Sequence, residues 1–322
     1  MDILIVKLGA LGDVINSLPF VIHAKTKLDA RIHWLVEPLS YPLLVEHPAV
    51  DRVILFDKYD WSGSLPEVMS TIRGVTFTLA LDLQRILKSG FLCLASRSGR
   101  RIGFDRRRCK ELTWLFPFER VGPQDPGRHM ILQYMEFAEY LGIGRGDVRW
   151  EIPVSGVHSF DLPAKYLVLN IGATKSANKW TAQGFAELAE AVMRRYGLVS
   201  VLTGAKEDCG MADAIERRAG GAVISLVGKT TLLDLKEVIA GAKAMVSCDT
   251  GPMHLAVALG KDVVALFGPS DPRRTGPFRG EVIQKQLSCV PCNRRECRDP
   301  RCMLAIAPSD VMERLIVLWS AS

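Results

Sequence analysis

Short apolar runs recur along the whole chain, and their spacing constrains the fold more than any other feature of the sequence. The runs lie at 3–6, 32–36, 53–56 and 77–81, and again at 166–171, 199–203, 223–226, 244–248 and 263–267. Runs that are apolar on both faces are typical of parallel strands covered by helices on both sides. Amphipathic stretches of helical length lie between many of them, at 12–27, 181–196, 231–242 and 251–260. This alternation predicts an α/β protein built from doubly wound parallel sheets.

The chain is long enough for two such domains. It has 322 residues, and roughly 150 residues is the usual size of one domain. A turn-rich connector from Pro153 to Pro163 precedes the fresh apolar run that starts at Tyr166. We therefore predict one Rossmann-like domain at 1–157 and a second at 163–322. Because ligands of such folds bind beyond the carboxyl ends of the strands, we expect an active site in a cleft that both domains face.

Composition excludes several classes of protein. With 48% hydrophobic and 24% charged residues, the chain is neither disordered nor of low complexity. No apolar run approaches the roughly 18 residues that span a bilayer. The first residues combine an early Asp2 with an apolar stretch too short for a signal peptide, so we expect a cytoplasmic protein.

Positive charge is concentrated in one segment. Between Arg85 and Arg120 there are ten Lys and Arg residues against three acidic residues, whereas the whole chain carries a net charge of +6. Such an excess predicts an anionic partner, either a phosphorylated substrate or an acidic membrane surface, although a solvated basic face is the simpler alternative. We expect no nucleic-acid partner, because no helix-turn-helix, zinc-finger or RNP-like pattern is present.

Four of the eight cysteines form a cluster in the sequence. Cys289, Cys292, Cys297 and Cys302 lie within fourteen residues, a density that allows a tetrahedral metal site. The spacing differs from the paired CxxC motifs of zinc ribbons. Free thiols or a disulfide-capable loop are the alternatives, and the sequence leaves all three open.

The first turn from strand to helix carries a candidate catalytic residue. It reads Lys7-Leu8-Gly9-Ala10-Leu11-Gly12-Asp13. Lys7 replaces the first glycine of a dinucleotide-binding fingerprint, so we do not expect nicotinamide or flavin. Glycines at a strand's carboxyl end let a ligand approach the backbone, and Asp13 is well placed there to take a proton from a hydroxyl group. The simpler interpretation is that Asp13 stabilises the start of the helix.

The second half contains a pattern suited to a diphosphate. The predicted strand at 244–248 ends in Asp249-Thr250-Gly251, and a helix with His254 in its first turn follows. Backbone amides at a helix start bind phosphate oxygens. Lys175 and Lys179 follow the first strand of the same half, where their charge can stabilise a leaving group.

Taken together, these segments resemble a known family. KLGALGDVINSLP, DLQR, GATKSANKW, LTGAKED and SCDTGPMHLAVALGKDVVALFGPSDPRRTGP are similar to the ADP-heptose:lipopolysaccharide heptosyltransferases of glycosyltransferase family 9. The similarity runs over nearly the whole chain in the expected order. It implies a GT-B fold, with the acceptor bound by the domain at 1–157 and the nucleotide sugar by the domain at 163–322.

The resemblance also implies roles for individual residues. Asp13 matches the family's catalytic base, and Lys179 matches the lysine that contacts the donor phosphates. The implied donor-binding residues are Gly12, Thr174, Lys175, Gly204, Glu207, Asp249, Thr250, Gly251 and His254. The implied acceptor-binding residues are Gln84, Arg85, Lys88 and Arg106.

The implied reaction is an inverting transfer of heptose from ADP-heptose to the phosphorylated lipid A-Kdo inner core. That acceptor would place the protein peripherally on the inner leaflet of the inner membrane. No DxD-like motif is present, so no cofactor and no metal site are required, although a divalent cation is compatible with the sequence.

Other functions stay open at this point. Residues 175–178 lack the acidic pair that some heptosyltransferases have, which leaves the transferred sugar open. A family 9 enzyme with another nucleotide sugar or acceptor is the nearest alternative. A sugar-nucleotide epimerase and a noncatalytic nucleotide-sugar binder are the more distant ones.

Overall fold

A computed structural model describes residues 1–320 of the chain. Contacts within the chain divide it into two compact units, one covering Met1–Pro153 and the other beginning at Val154. The binding roles predicted for 1–157 and 163–322 stay predictions. No helix in residues 1–320 combines the length and the apolar character that a membrane span requires.

The N-terminal unit is built around a parallel sheet in the order β3-β2-β1-β4-β5-β6. Its strands are β1 (Asp2–Val6), β2 (Arg31–Val36), β3 (Arg52–Leu55), β4 (Phe77–Asp82), β5 (Ser98–Gly103) and β6 (Glu119–Arg120). Its α-helices are α1 (Leu11–Leu28), α2 (Tyr41–Val45), α3 (Trp61–Gly74), α4 (Leu87–Ala95) and α5 (Met130–Tyr140).

The second unit repeats this plan with a parallel sheet in the order β12-β11-β10-β7-β8-β9. Its strands are β7 (Tyr166–Asn170), β8 (Val199–Thr203), β9 (Val223–Ser225), β10 (Ala244–Cys248), β11 (Asp262–Phe267) and β12 (Glu281–Gln284). Its α-helices are α6 (Ala182–Tyr196), α7 (Cys209–Ala219), α8 (Leu232–Gly241), α9 (Gly251–Ala258), α10 (Pro272–Thr275), α11 (Arg301–Leu304) and α12 (Pro308–Ser320).

The central strands are buried on both faces, which is why they read as continuous apolar runs. Every residue of β7 and β10 is buried, as are the last four residues of β1. The prediction of two doubly wound parallel sheets is therefore confirmed. Strands β5, β6 and β12 were not predicted, because their polar residues hide the apolar pattern of a strand.

Helix α6 shows how the local sequence sets where a helix begins and ends. The side chain of Thr181 accepts a hydrogen bond from the backbone amide of Gly184 and caps the first turn. The helix ends at Gly197, whose positive φ of 64° is the left-handed conformation that glycine adopts without a Cβ clash.

In both units the chain reverses its direction of strand addition beside one central strand. This point lies between β1 and β4 in the first sheet and between β7 and β10 in the second. The loops that follow these two neighbouring strands run to opposite faces of the sheet and leave a crevice at its carboxyl edge. Doubly wound proteins bind their ligands in this crevice. Most candidate site residues lie in these loops or in the helices that follow them, whereas Gly204 and Glu207 follow β8 and Arg106 follows β5.

Candidate functional site

In the N-terminal unit, the loops after β1 and β4 meet at the crevice. The backbone amide of Gly9 lies 3.4 Å from Oε1 of Gln84, which links the two loops. Asp82 ends β4 and accepts hydrogen bonds of 3.1 Å from the backbone amides of both Gln84 and Arg85. The predicted acceptor residues Gln84 and Arg85 are therefore close to the glycine-containing loop that leads to Asp13.

Asp13 lies in the first turn of α1 and forms an ion pair with Lys7. Nζ of Lys7 is 3.0 Å from Oδ2 of Asp13. The Lys7 side chain is 0% exposed, whereas the Asp13 side chain keeps 31% of its surface exposed. A buried ammonium group thus fixes one oxygen of a carboxylate that solvent or a ligand can still reach.

The charges around Asp13 control its protonation. Burial alone would raise the pKa of Asp13, but the positive charges of Lys7 and Arg85 outweigh that effect and hold the pKa below its usual value. Burial likewise lowers the pKa of Lys7, while Asp13 opposes that change. Asp13 is therefore an ionised carboxylate at neutral pH.

Arg85 does not face solvent as an acceptor-binding arginine on a surface would. It is only 3% exposed, and its guanidinium lies over the ring of Phe104 at 4.9 Å. Its Nε has no hydrogen-bond partner within residues 1–320. The structure therefore places the Arg85 side chain in the interior, where its charge acts on Asp13.

The other two predicted acceptor residues lie apart from this pair. Nζ of Lys88 is 2.7 Å from Oε1 of Glu37, and Lys58 holds the other oxygen of the same carboxylate at 3.0 Å. Arg106 is exposed and stacks over the ring of Trp114 at 4.2 Å. The structure gives neither Lys88 nor Arg106 a contact with Asp13.

The basic segment is less available to an anion than its charge suggests. Arg108 is buried and forms ion pairs with Asp105 and Glu136. Arg100 pairs with Glu119, and Arg120 donates hydrogen bonds to backbone carbonyls. Much of the predicted positive surface is therefore used inside the unit.

In the second unit, Asn170 connects three strands at the carboxyl edge of the sheet. It ends β7, and its Nδ2 lies 3.2 Å from the side-chain oxygens of both Ser247 and Thr250. Its Oδ1 lies 3.3 Å from the Thr203 hydroxyl. The buried amide thereby fixes Thr250 at the start of α9, as a preformed anion site requires.

Lys179 forms the counterpart of the Asp13 ion pair. Its Nζ is 2.6 Å from Oδ1 of Asp208, and the two side chains are 33% and 5% exposed. Oδ2 of Asp208 accepts a 3.1 Å hydrogen bond from the amide of Ala205. A Cβ on Gly172 would lie 2.6 Å from that same oxygen, so glycine is needed there for the close approach.

The Asp249 side chain contacts the segment that follows β7 and helps to fix its position. Its Oδ2 accepts a 3.2 Å hydrogen bond from Asn178, the residue before Lys179. Burial raises the pKa of Asp249, while the hydrogen bond from Asn178 and the charge of Lys175 oppose that rise.

The remaining predicted donor residues differ in exposure. Gly251 begins α9 and His254 is buried in the same helix, while Gly204 follows β8. Glu207 is exposed in the loop after Gly204, and the adjacent Asp208 is the buried acid that holds Lys179. The structure places Gly12 in the N-terminal unit. Thr174 is exposed and Lys175 half-buried, both in the loop before Lys179.

The four clustered cysteines are all free thiols. Cys289 and Cys292 are exposed, Cys297 is half-buried, and Cys302 is buried in α11. In residues 1–320, no group of three or more His, Cys, Asp or Glu side chains is arranged to hold a metal ion.

Two important residues were missed at the level of sequence. In the sequence, Lys7 stands out only as a departure from a glycine fingerprint, and the family resemblance points to Glu207 and not to its neighbour Asp208. A lysine that directly follows a wholly apolar strand is a usable signal, because such a charge must find a buried partner. Nothing in the local sequence distinguishes Asp208 from Glu207.

With this geometry established, the chain can be compared with known proteins. Residues 67–302 match glycosyltransferase family 9 (heptosyltransferase), and this chain belongs to that family. It is an enzyme of the glycosyltransferase class.

Particular relatives cover most of the chain. The lipopolysaccharide core heptosyltransferase OpsX of Haemophilus influenzae is 27% identical over 283 residues, which is 85% of this chain and 81% of that protein. The lipooligosaccharide heptosyltransferase 2 of Campylobacter jejuni is 31% identical over 323 residues, which is 94% of each protein.

A solved structure supports the fold class. The ADP-heptose lipopolysaccharide heptosyltransferase II of Escherichia coli has a TM-score of 0.81 to this chain, at 22% identity and with 100% of both chains covered. The predicted GT-B class, with two Rossmann-like parallel sheets, is confirmed.

Proposed function

We propose that this enzyme transfers L-glycero-D-manno-heptose from ADP-heptose to the inner core of lipopolysaccharide, with inversion at the anomeric carbon. The observation that carries the proposal is the ionised, partly exposed Asp13 held by buried Lys7. The names of the relatives support the sugar and the acceptor, since they are heptosyltransferases of lipopolysaccharide or lipooligosaccharide. The neighbouring Escherichia coli structure supports ADP-heptose as the donor.

Asp13 acts as the general base in this proposal. Its Oδ2 is occupied by Lys7, which leaves Oδ1 to accept the proton of the acceptor hydroxyl. A carboxylate with a lowered pKa is a weak base, so the proton moves late, when the attacking oxygen has become strongly acidic. The oxygen bonds to the anomeric carbon on the face opposite to ADP, and the configuration inverts.

The second unit stabilises the leaving group. As the bond from the anomeric carbon to the β-phosphate oxygen breaks, ADP departs with the electron pair. The ammonium of Lys179 and the amides at the start of α9 stabilise the charge that develops on the diphosphate. The ion pair with Asp208 orients the ammonium group of Lys179 before the donor arrives.

Lys179 also bears on the question of a divalent cation. A fixed ammonium group supplies the charge that a metal ion supplies to a diphosphate in other transferases. We therefore propose that no metal is required. Transfer that continues at an unchanged rate in excess EDTA would support this, and loss of transfer that Mg²⁺ restores would contradict it.

The proposed acceptor determines where the enzyme works. An inner core attached to lipid A is anchored in a membrane, so the enzyme would associate peripherally with the cytoplasmic face of the inner membrane. The exposed cations of the N-terminal unit, among them Arg106 and Arg107, favour contact with acceptor phosphates.

The decisive experiment measures ADP release from ADP-heptose in the presence of a heptose-deficient lipopolysaccharide core. Wild type should release ADP only when the acceptor is present. Asp13→Ala should reduce turnover at least ~100-fold, as expected for loss of a general base, and should still bind ADP in calorimetry.

Other results would redirect the proposal. Tight ADP binding without turnover would favour another sugar or acceptor within the family. Isomerisation of the sugar nucleotide would indicate an epimerase, and failure to bind ADP would refute the donor assignment.

A further inference from the structure

The outer face of α4 carries apolar side chains that stay partly exposed, although Phe91 packs edge-on against Phe116. Leu87, Phe91 and Leu94 follow one another at helical spacing and are 37%, 61% and 37% exposed. Residues four and three apart share one side of a helix. The opposite side, with Leu92 and Cys93, is buried in the core. An apolar stripe directed away from the core is unusual unless it binds something.

This stripe continues into a groove between α3 and α4. The groove has a volume of about 390 Å³. Its apolar walls come from Phe56, Trp61, Leu65, Phe91 and Leu92. Trp61 is 60% exposed, and the adjacent Tyr59 is more exposed still. Aromatic side chains with one face in solvent are enriched where proteins meet the membrane interface.

Positive charge lies at the edge of the same groove. Lys58 and Lys88 also line it, and both contact the single carboxylate of Glu37 at 3.0 and 2.7 Å. Two ammonium groups that share one carboxylate leave a net positive charge. Helix α4 itself contains Lys88 and no acidic residue. The groove lining therefore combines apolar and aromatic side chains with two lysines and no acid, whereas Asp57, Asp60 and Glu67 lie outside that lining on the α3 side.

The exposed apolar residues are also unevenly distributed along the chain. Of the large hydrophobic side chains exposed in residues 1–320, half lie between positions 55 and 115. These are Leu55, Tyr59, Trp61, Leu87, Phe91, Leu94, Leu112 and Leu115.

We propose that the α3–α4 face, defined by Trp61, Leu87, Phe91, Leu94 and Lys58, docks the enzyme on an anionic lipid bilayer. The apolar side chains would enter the boundary between headgroups and acyl chains, while the lysines contact lipid phosphates. Surfaces of this composition bind through buried apolar area plus attraction to anionic lipid. The inference rests on the proposed function, since a lipid-linked acceptor gives the enzyme a reason to reach a bilayer.

The test is co-sedimentation with vesicles of phosphatidylcholine mixed with phosphatidylglycerol, and with vesicles of phosphatidylcholine alone. Wild type should bind the anionic vesicles more tightly. Trp61→Ser combined with Phe91→Ser should weaken that binding at least ~10-fold, because two large apolar side chains no longer enter the lipid. Lys58→Gln should weaken binding about fivefold, an effect that high salt removes.

A matched control separates this face from apolar exposure in general. Leu39 and Val45 belong to the same unit, are 64% and 53% exposed, and lie outside the α3–α4 face. Leu39→Ser combined with Val45→Ser should bind vesicles like wild type. Equal binding by both double variants, or no binding by wild type, would overturn the proposal.

Activity on two acceptors keeps this result distinct from the proposed function. With a deacylated, water-soluble core, the Trp61→Ser, Phe91→Ser variant should release ADP at the wild-type rate. With the lipid-anchored core embedded in anionic vesicles, its rate should fall in parallel with vesicle binding. Absence of ADP release by wild type with either acceptor would contradict the proposed function, whereas the vesicle comparison alone decides the docking face.

Discussion

Each unit contains an ion pair in which a buried residue holds a partly exposed residue of the candidate site, and the charges of the two members are reversed between the units. In the N-terminal unit a partly exposed acid, Asp13, is held by a buried base, Lys7. In the second unit a partly exposed base, Lys179, is held by a buried acid, Asp208. In both, the buried partner comes from a segment at the carboxyl edge of the sheet. A buried charge can only be tolerated with a partner, so each pair fixes its exposed member in orientation and charge.

The pairs differ in how many other contacts support them. Asp208 also accepts a hydrogen bond from the Ala205 amide, and Asn178 beside Lys179 is bonded to Asp249. Lys7 has Asp13 as its hydrogen-bond partner and the ring of Tyr134 at 5.6 Å. We therefore expect the N-terminal pair to depend more on its single ion pair than the second pair does.

Apart from Asp13→Ala, the largest effect should come from removing the partly exposed base, Lys179. Lys179→Ala should lower kcat about 100-fold, the size expected when one fixed donor to a developing charge is lost. Steady-state ADP release measures this. Lys229→Ala is the control, because Lys229 is an exposed lysine of the same unit that contacts the carbonyl of Ser225. Equal losses in the two variants would show a general charge effect instead.

A smaller effect should follow from removing the buried base. Lys7→Met removes a charge that lowers the pKa of Asp13, so that pKa should rise. The acidic limb of the profile of kcat/KM against pH should then move to higher pH. At pH values on the acidic limb, kcat/KM of the variant should be about tenfold below that of the wild type for each pH unit by which the limb moves. Lys25→Met removes a half-buried lysine that pairs with Asp51, not with Asp13, and should leave the profile unchanged.

Removing the buried acid should have a milder effect still. Asp208→Asn keeps the hydrogen-bonding shape but not the charge that holds Lys179, so KM for the donor should rise about fivefold. KM for the acceptor should stay constant. Glu207→Gln serves as the comparison, because Glu207 is the adjacent acid and its side chain is exposed. If Glu207→Gln raised donor KM more than Asp208→Asn did, Glu207 would be the donor-contacting acid and Asp208 a structural residue.

The smallest effect concerns stability. The pKa of Asp13 is lowered in the folded state, so its contribution to stability is present above its unfolded pKa and is lost as the pH falls through the folded value. The pKa of Asp249 is raised, so its charge costs stability above the folded value, and that cost disappears on acidification.

Urea denaturation of the wild type, Asp13→Asn and Asp249→Asn between neutral and acidic pH measures both effects. Relative to the wild type, Asp13→Asn should be destabilised at neutral pH, and the difference should shrink with acidification. Asp249→Asn should gain stability relative to the wild type as the pH rises. Changes of the same sign in both variants would contradict the assigned charge states.

Much of the molecule was predictable because burial leaves a pattern in the sequence. Strands such as β7 and β10 are covered on both faces and read as apolar runs, while Thr181 and Gly197 mark the ends of α6. The loops that bear Asp13 and Thr250 follow such strands, so their position at the carboxyl edge follows from topology. Strand β5 could not be predicted in this way, because Arg100 and Arg101 interrupt the apolar pattern that indicates a buried strand.

What the sequence alone determined, then, is the fold class, the alternation of strands and helices, the family and most of the loops that carry the candidate site. Only the tertiary structure decided that Arg85 and Arg108 are interior cations, that Lys7 holds Asp13, and that Asp208, not Glu207, holds Lys179. The physical reason is that periodic burial is local and repeats along the chain. The partner of a buried charge, in contrast, depends on which loops the sheet brings together, and that pairing leaves no periodic trace.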